Sequence, residues 1–456
     1  MHGRHHRKVR RSKPHALHGT VRHPSFTDVA RAPAFGAASA RHASPSMPLS
    51  GSRTGLLIGL ALLAIVSQFF RSSIAVIAPE LIHDLDLSPQ LLGLAGGIYF
   101  LALGCSQVPV GMSFDRLGPR RTVAWVSVFA LAGCAAMAIA ESAAALIVGR
   151  FQVGFGCGAS IMSGVVLLMR WYPSEQVGTM YGRIFAISQI GNFMAATPMA
   201  WMSDAVGWRT VFGGMAVVTT AVVGFFVWAA RDHPPGSAPA RRHAESLGAT
   251  LLGFVAVLRQ PHYTKVVAIH MVAYATMATL LGLWAGPYLH DVHGLDAVAR
   301  GHVLLAMSGA QVAGMLWLVP LERRFNTRKR VVIGAASVVV AIVALLALLP
   351  EPPLWLAVTL LVGICGFSAY SPIIIAHAAS MTPPALLGRG SATANIGQVT
   401  GSFLLPVISG AIAGMFSQGA DGYPPQAYRL IFAFLALALG TGILIYARVK
   451  DLKPRP

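Results

Sequence analysis

GMSFDRLGPRR, residues 111–121, sets one acid and three arginines between two long apolar runs. In a chain of 456 residues that is 55% hydrophobic and only 11% charged, such a concentration of charge marks a boundary between membrane-embedded segments. The mean hydropathy of +0.63 leaves too little polar surface to wet a soluble globule.

Working outward from that stretch, apolar runs recur near 55–79, 90–112, 121–140, 143–169, 178–203, 209–230, 263–289, 300–320, 330–349, 353–379, 387–416 and 428–447. Crossing about 30 Å of hydrocarbon takes roughly 20 apolar residues in a helix. The runs around 90–112, 122–140 and 331–349 hold no Asp, Glu, Lys, Arg or His. In lipid every backbone amide needs an internal partner, which leaves helices or a closed barrel. Continuous apolar runs of this length fit helices, because barrel strands alternate and are shorter. The expected fold is an all-α polytopic membrane protein with 12 transmembrane helices.

The formal charge of +19 resembles a nucleic-acid signature until its location is read. Every second boundary collects the cations: Arg116, Arg120 and Arg121, then Arg170, then Arg231, Arg241, Arg242 and Arg259. Arg323, Arg324, Arg328, Lys329 and Arg330 follow, then Arg389, and finally Arg448, Lys450, Lys453 and Arg455. The intervening boundaries carry Asp84, Asp86, Glu141, Asp204, Asp291, Asp296, Glu351 and Asp421, with Arg209, Arg300 and Arg429 as their main cations. This alternation is the positive-inside pattern. It predicts a bacterial inner (plasma) membrane protein with both termini cytoplasmic, and it assigns the charge to topology rather than to a nucleic-acid partner. Cys105, Cys134, Cys157 and Cys365 fall inside the runs with no CxxC pair, and read as small buried residues rather than disulfides or a metal site.

Residues 1–52 are Arg- and His-rich with scattered Pro and Ser, and are expected to be a disordered cytoplasmic tail. The alternative is that translation starts at Met47. The opening MHGRHHRKVRRSK suits anionic lipid. Residues 231–262 read as a cytoplasmic linker, in which Leu247, Leu251, Phe254 and Leu258 form one stripe of a short interfacial amphipathic helix. Six runs precede this linker and six follow, giving expected bundles over 53–230 and 263–450. Three paired stretches recur about 206 to 208 residues apart: GRIFAISQIGN (182–192) with GRGSATANIGQ (388–398), IAPELIHD (77–84) with AGPYLHD (285–291), and FDRLGPRR (114–121) with LERRFNTRKR (321–330). They argue for a duplicated six-helix unit with two pseudo-symmetric halves.

The opening stretch resembles the loop motif Gly-x-x-x-Asp-Arg-x-Gly-x-Arg-Arg/Lys of the major facilitator superfamily, carried here by Gly111, Asp115, Arg116, Gly118, Arg120 and Arg121. RFQVGFG (150–156) is similar to the same family's Arg-x-x-x-Gly-x-Gly in the fourth helix. The resemblance covers roughly 53–450 and implies two six-helix bundles that rock about a central cavity. It further implies that the 111–121 motif is a gate. Asp115 would meet the positive end of a helix in the opposite bundle near Gly388, and the arginines would complete a charge latch on the cytoplasmic side. The alternative for the arginines is topology alone. In the second half Glu322 stands for the acid and Phe325 for Gly118, so that copy of the latch is expected to be degenerate.

Polar residues inside apolar runs supply the candidate site. Arg71, in SQFFRSSIAV, sits near the middle of the first run, and Gln68 lies one turn earlier on the same face. An arginine at the bilayer centre costs about 2.5–3.5 kcal/mol on insertion scales, so it should face a wet cavity or a partner. A guanidinium beside a carboxamide suits a carboxylate, or else pairs with backbone carbonyls. RSSIAVIAPEL also looks like the first-helix segment of organic-anion symporters of the superfamily, without the acid they often carry just before the arginine. Gln189 with Asn192 and Asn395 with Gln398 are each spaced i, i+3 on repeat-related helices, and are expected either to project into the cavity or to bond helices together. Arg150, His270 and His377 are the other intramembrane ionisable groups and candidates for coupling; each histidine reads either as a proton carrier or as an interfacial hydrogen-bonder. With no Asp or Glu in mid-span, a proton would travel on the substrate, or one anion would exchange for another.

These readings point to a secondary transporter of a small anionic or zwitterionic organic solute, working as a monomer by proton-coupled uptake. Drug or metabolite efflux is the competing expectation. Against it, ATPMAWMSD (196–204) lacks the Gly-Pro-x-x-Gly-Gly signature of proton-driven drug exporters. No HExxH, P-loop GxxxxGK[ST] or GxSxG appears, so neither an enzyme nor an ATP-driven pump is expected, and no metal or cofactor is implied.

Overall fold

A computed structural model describes residues 52–234, 255–383, 387–416 and 422–454. Residues 1–51 of the expected basic tail, and Leu247, Leu251 and Phe254 of the expected interfacial helix, lie outside the described residues, while Ser52 belongs to the start of the first helix. In chain order the main helices are α1 (Arg53–Leu85), α2 (Pro89–Arg116), α3 (Pro119–Ala138), α4 (Ala143–Trp171), α5 (Ser174–Ser188), α6 (Ile190–Met194), α7 (Thr197–Val206) and α8 (Trp208–Ala229). Then come α9 (Tyr263–Asp291), α10 (Ala297–Leu318), α11 (Lys329–Leu348), α12 (Leu354–Phe367), α13 (Ser371–Ser380), α14 (Leu387–Ala413) and α15 (Pro425–Tyr446). The fold is all-α, and among the described residues 11 helices are long and apolar enough to cross a membrane.

The missing span is the expected run 178–203, which is not one helix but α5, α6 and α7 laid end to end. Pro198 has no N–H, and its ring clashes with the carbonyl four residues back, so α6 ends at Met194 and a new helix starts at Thr197. Helix starts follow local chemistry. Ser52 and Ser88 cap α1 and α2, accepting from Gly55 N at 3.0 Å and Leu91 N at 3.3 Å, and Asp296 caps α10 through Ala299 N at 2.7 Å. The 111–121 motif is less of a loop than expected: its first six residues complete α2, and α3 begins at Pro119. Gly118 makes the reversal at φ 83°, and a Cβ there would collide with the Asp232 carboxylate. In the second copy the left-handed residue is Asn326 at φ 48°, not Phe325, because an Asn side chain tolerates that conformation.

Matched contacts recur in the chain before residue 235 and in the chain after residue 262. Asp84 accepts from Trp208 Nε1 at 2.9 Å and Arg209 at 3.1 Å, and Asp291 accepts from Tyr423 N at 2.9 Å and the Tyr428 hydroxyl. Arg209 donates to Ala140 O and Arg429 to Ala347 O, each at 2.9 Å. Asp232 accepts from Arg120 N at 2.7 Å at the start of α3, and Asp451 accepts from Lys329 N at 3.1 Å at the start of α11. Asp84 and Asp291 are the acids aligned by the paired stretches at 77–84 and 285–291. Gly191 and Gly397, the glycines between the paired amides, press on α1 and α9; a Cβ on Gly191 would strike Ile65 O, and one on Gly397 would lie 2.6 Å from Val267.

The Asp451 cap carries a stability prediction. Burial raises its carboxyl, but the Thr327 hydroxyl and the backbone N–H groups of Lys329 and Arg328 outweigh this and hold it below the ordinary carboxylate value. A depressed carboxyl stabilises the fold above the unfolded value and loses that contribution as pH falls through the folded value. Asp451→Ala is therefore expected to cost about 1 kcal/mol near neutrality. In thermal melts, the gap between variant and parent should close below about pH 4.

Candidate functional site

α1 lies against the end of α9, α2 against α14, and α7 against α10. These contacts gather toward the end where α1 finishes and α2 starts. There a Cβ on Gly93 would sit 2.5 Å from Pro406 O and 2.9 Å from Gly410, and a Cβ on Gly301 would sit 2.8 Å from Thr197. Absent side chains let the backbones meet, which closes this end. At the opposite end Asp115, Arg116 and Arg121 are exposed and Gly111 is half-buried. Arg120 is held within its own half, its backbone N on Asp232 and its side chain donating to Val227 O at 2.6 Å. Arg170 adds a bond to Asp232 O at 3.3 Å.

Between the ends lies a cavity of about 360 Å³, walled by α1, α2, α4, α5, α6, α9, α10, α14 and the α12–α13 junction. Arg71 enters it from α1. Its NH1 donates to the Tyr274 hydroxyl at 2.8 Å, and its guanidinium lies 5.5 Å from the Phe100 ring centroid and 5.9 Å from that of Tyr274. Its Nε has no hydrogen-bond partner. Among the described residues Arg71 is the only charged side chain lining the cavity. A guanidinium flanked by ring faces, with one N–H unused, is prepared to grip an oxyanion.

The expected amides surround it. Gln68, Asn192, Asn395 and Gln398 line the cavity, whereas Gln189 stands behind it. Gln189 Oε1 accepts from Gln68 Nε2 at 2.7 Å and from Asn192 Nδ2 at 3.5 Å, and Ser72 donates to Asn192 Oδ1 at 2.8 Å. The first pair thus bonds α1 to the α5–α6 junction, and of its two amides Asn192 reaches the cavity. The break before α6 positions Asn192, and Gly191 beside it lets α6 press against α1.

Arg150, His270 and His377 are not among the lining residues. Arg150 is fully buried, donates to Phe70 O at 2.6 Å and Ala95 O at 3.2 Å, and lies 5.1 Å from the Tyr99 ring centroid. It therefore fastens α4 to α2 and to α1, at the residue before Arg71. His270 Nδ1 lies 3.0 Å from Ala394 O, and His377 Nδ1 lies 2.6 Å from the Tyr446 hydroxyl. Both histidines are buried and sit against α14 and α15 respectively.

Several lining residues escaped the sequence reading: Tyr274, Phe100, Gln107, Gln311, Ser368 and Ser371. Gln311 had a signal, a lone amide in the apolar run GAQVAG. The aromatic pair had none, since Phe and Tyr are ordinary in spans. Arg300, counted among boundary cations, is instead buried in the first turn of α10, where it pairs with Glu80 and donates to Val76 O at 3.2 Å. The run of residues 300–320 begins earlier as a helix, at Ala297, and this draws Arg300 inside.

The chain matches the family model of the Major Facilitator Superfamily over residues 60–399 and 303–456. It is similar to the probable galactarate/D-glucarate transporter of Escherichia coli K12, 25% identical over 245 residues that cover 49% of this chain and 51% of that one. It is also similar to the hexuronate transporter of the same organism, 26% identical over 181 residues and 40% of each chain. The chain thus spans about half or less of the length of these relatives. A solved bacterial homolog of the human lysosomal transporter Spinster, inward-facing and unoccupied, superposes with a TM-score of 0.71 at 16% identity, covering 88% of this chain and 97% of that one. At that identity the likeness concerns the fold alone.

Proposed function

The chain belongs to the Major Facilitator Superfamily, and from that membership we propose that it is a secondary active transporter of a small organic anion, working as a monomer by alternating access. One observation carries this: the cavity's sole charged lining residue among those described is Arg71, with an unused N–H and no acid beside it. Such a site rejects cations and favours a carboxylate. The relatives named for sugar acids support the same class.

In this reading residues 53–230 and 263–450 are the two rocking bundles and 231–262 the linker between them. The arginine-rich ends face the cytoplasm, so the cavity approached from the 111–121 end is the inward-open state. In the outward-open state Asp115 meets the start of α14 and the latch engages. Transport is proposed to run inward with protons. No enzymatic step is part of the reading.

The test is uptake of radiolabelled D-glucuronate into proteoliposomes with an imposed pH gradient. Accumulation that collapses with the gradient is the expected result. Uptake indifferent to the gradient but dependent on internal anion would replace proton coupling with exchange, and no uptake of any carboxylate would remove the anion reading.

A further inference from the structure

On the wall contributed by the second half of the chain, three polar side chains line the same cavity, and each keeps a buried oxygen without a hydrogen-bond partner: Gln311 Oε1 on α10, Ser368 Oγ at the α12–α13 junction and Ser371 Oγ at the start of α13. Gln311 and Ser368 are 6% and 4% exposed, and Ser371 is half-buried. An unpaired buried oxygen destabilises the fold, a cost that a packed apolar wall would avoid. Amides and serine hydroxyls all donate and accept, as sugar hydroxyls do. Neither Gln311 nor the serines carry charge, and no second cation stands among the described lining residues.

We propose that Gln311, Ser368 and Ser371 form a hydroxyl-recognition subsite, and that the ligand is a polyhydroxylated monocarboxylate rather than a dicarboxylate. This rests on the reading of Arg71 as the carboxylate anchor. One carboxylate meets the guanidinium on α1 while the hydroxyl-bearing end meets α10 and α13. A second carboxylate at the hydroxyl end would be desolvated against neutral donors with no cation to offset it. The cavity of about 360 Å³ suits a solute of sugar size. Because the two ends touch different halves, a hydroxylated acid bridges them and an acid without hydroxyls does not.

The experiment is calorimetric titration of the purified full chain with D-glucuronate, D-glucarate and cyclohexanecarboxylate, which holds ring size while removing the hydroxyls. D-Glucuronate is expected to bind about ten-fold or more tighter than either other acid, corresponding to one or more good hydrogen bonds. Gln311→Leu should weaken D-glucuronate about ten-fold and leave cyclohexanecarboxylate within about two-fold, the latter also showing that the variant is folded. Ser371→Ala should act in the same direction. Equal or tighter binding of D-glucarate, or D-glucuronate binding unmoved by Gln311→Leu and Ser371→Ala, overturns the subsite. If Arg71→Ala leaves all three acids binding as before, or if none binds the parent chain, the anchor reading falls instead, and the subsite with it.

Discussion

Arg71→Ala is expected to abolish carboxylate binding, weakening it by at least about 100-fold, the loss of a bidentate charge-assisted pair in a low-dielectric cavity. The size follows from the surroundings. The guanidinium sits against the rings of Phe100 and Tyr274 rather than in bulk water, so attraction to an anion is poorly screened. Alanine leaves an anion facing amides and hydroxyls with no counter-charge. Arg71→Lys should retain part of the binding, because an ammonium supplies charge without the planar fork. Thermal-shift measurements with D-glucuronate check both variants, with the unliganded melts as controls. Some loss of unliganded stability is expected from losing the 2.8 Å bond to Tyr274. Ligand-dependent stabilisation that survives Arg71→Ala unchanged would eliminate this residue as the anchor.

The membrane fold and the place of Arg71 were legible because both follow from burial of charge. Runs without a charged residue have one environment that suits them, and an arginine inside one needs a cavity or a partner. The pairing of 77–84 with 285–291 was legible because Asp84 and Asp291 each accept hydrogen bonds near the start of a later helix, whereas Asp232 and Asp451, which do matched work at the starts of α3 and α11, lie outside the paired stretches. What the sequence hid depends on which helices approach one another. Tyr274 matters through its distance to Arg71 across 203 positions of chain, and no periodicity encodes that. The α5–α7 break was half-visible in Pro198, but a proline in a membrane helix more often kinks than splits it, and hydropathy alone treats the run as continuous. Arg300 misled for a simpler reason: near the end of an apolar run, a buried arginine and an interfacial one look alike.

Arg300 also carries the second large expectation. Its side chain is 2% exposed, whereas that of Glu80 is 34% exposed, and the pair joins α1 to α10 at the closed end. It is an ion pair that ties the stretch before residue 231 to the stretch after 262. Glu80→Gln removes the counter-charge while leaving the guanidinium buried, a defect of about 3–5 kcal/mol for a fully buried pair and less here, because solvent reaches the carboxylate side. The cost falls only on the state in which α1 and α10 meet. A loss of about 1–3 kcal/mol there moves the two-state balance roughly 5- to 150-fold toward opening at this end. Hydrogen–deuterium exchange reads it directly. In Glu80→Gln, protection should fall at 76–85 and 297–304 and rise around the 111–121 motif as the other end closes. The charge-swapped double variant, Glu80→Arg with Arg300→Glu, should recover part of the lost protection, which a purely steric defect would not. Exchange unchanged at both ends in Glu80→Gln would mean that the glycine contacts around Gly93, Gly301 and Gly410 hold the closed end without help from charge.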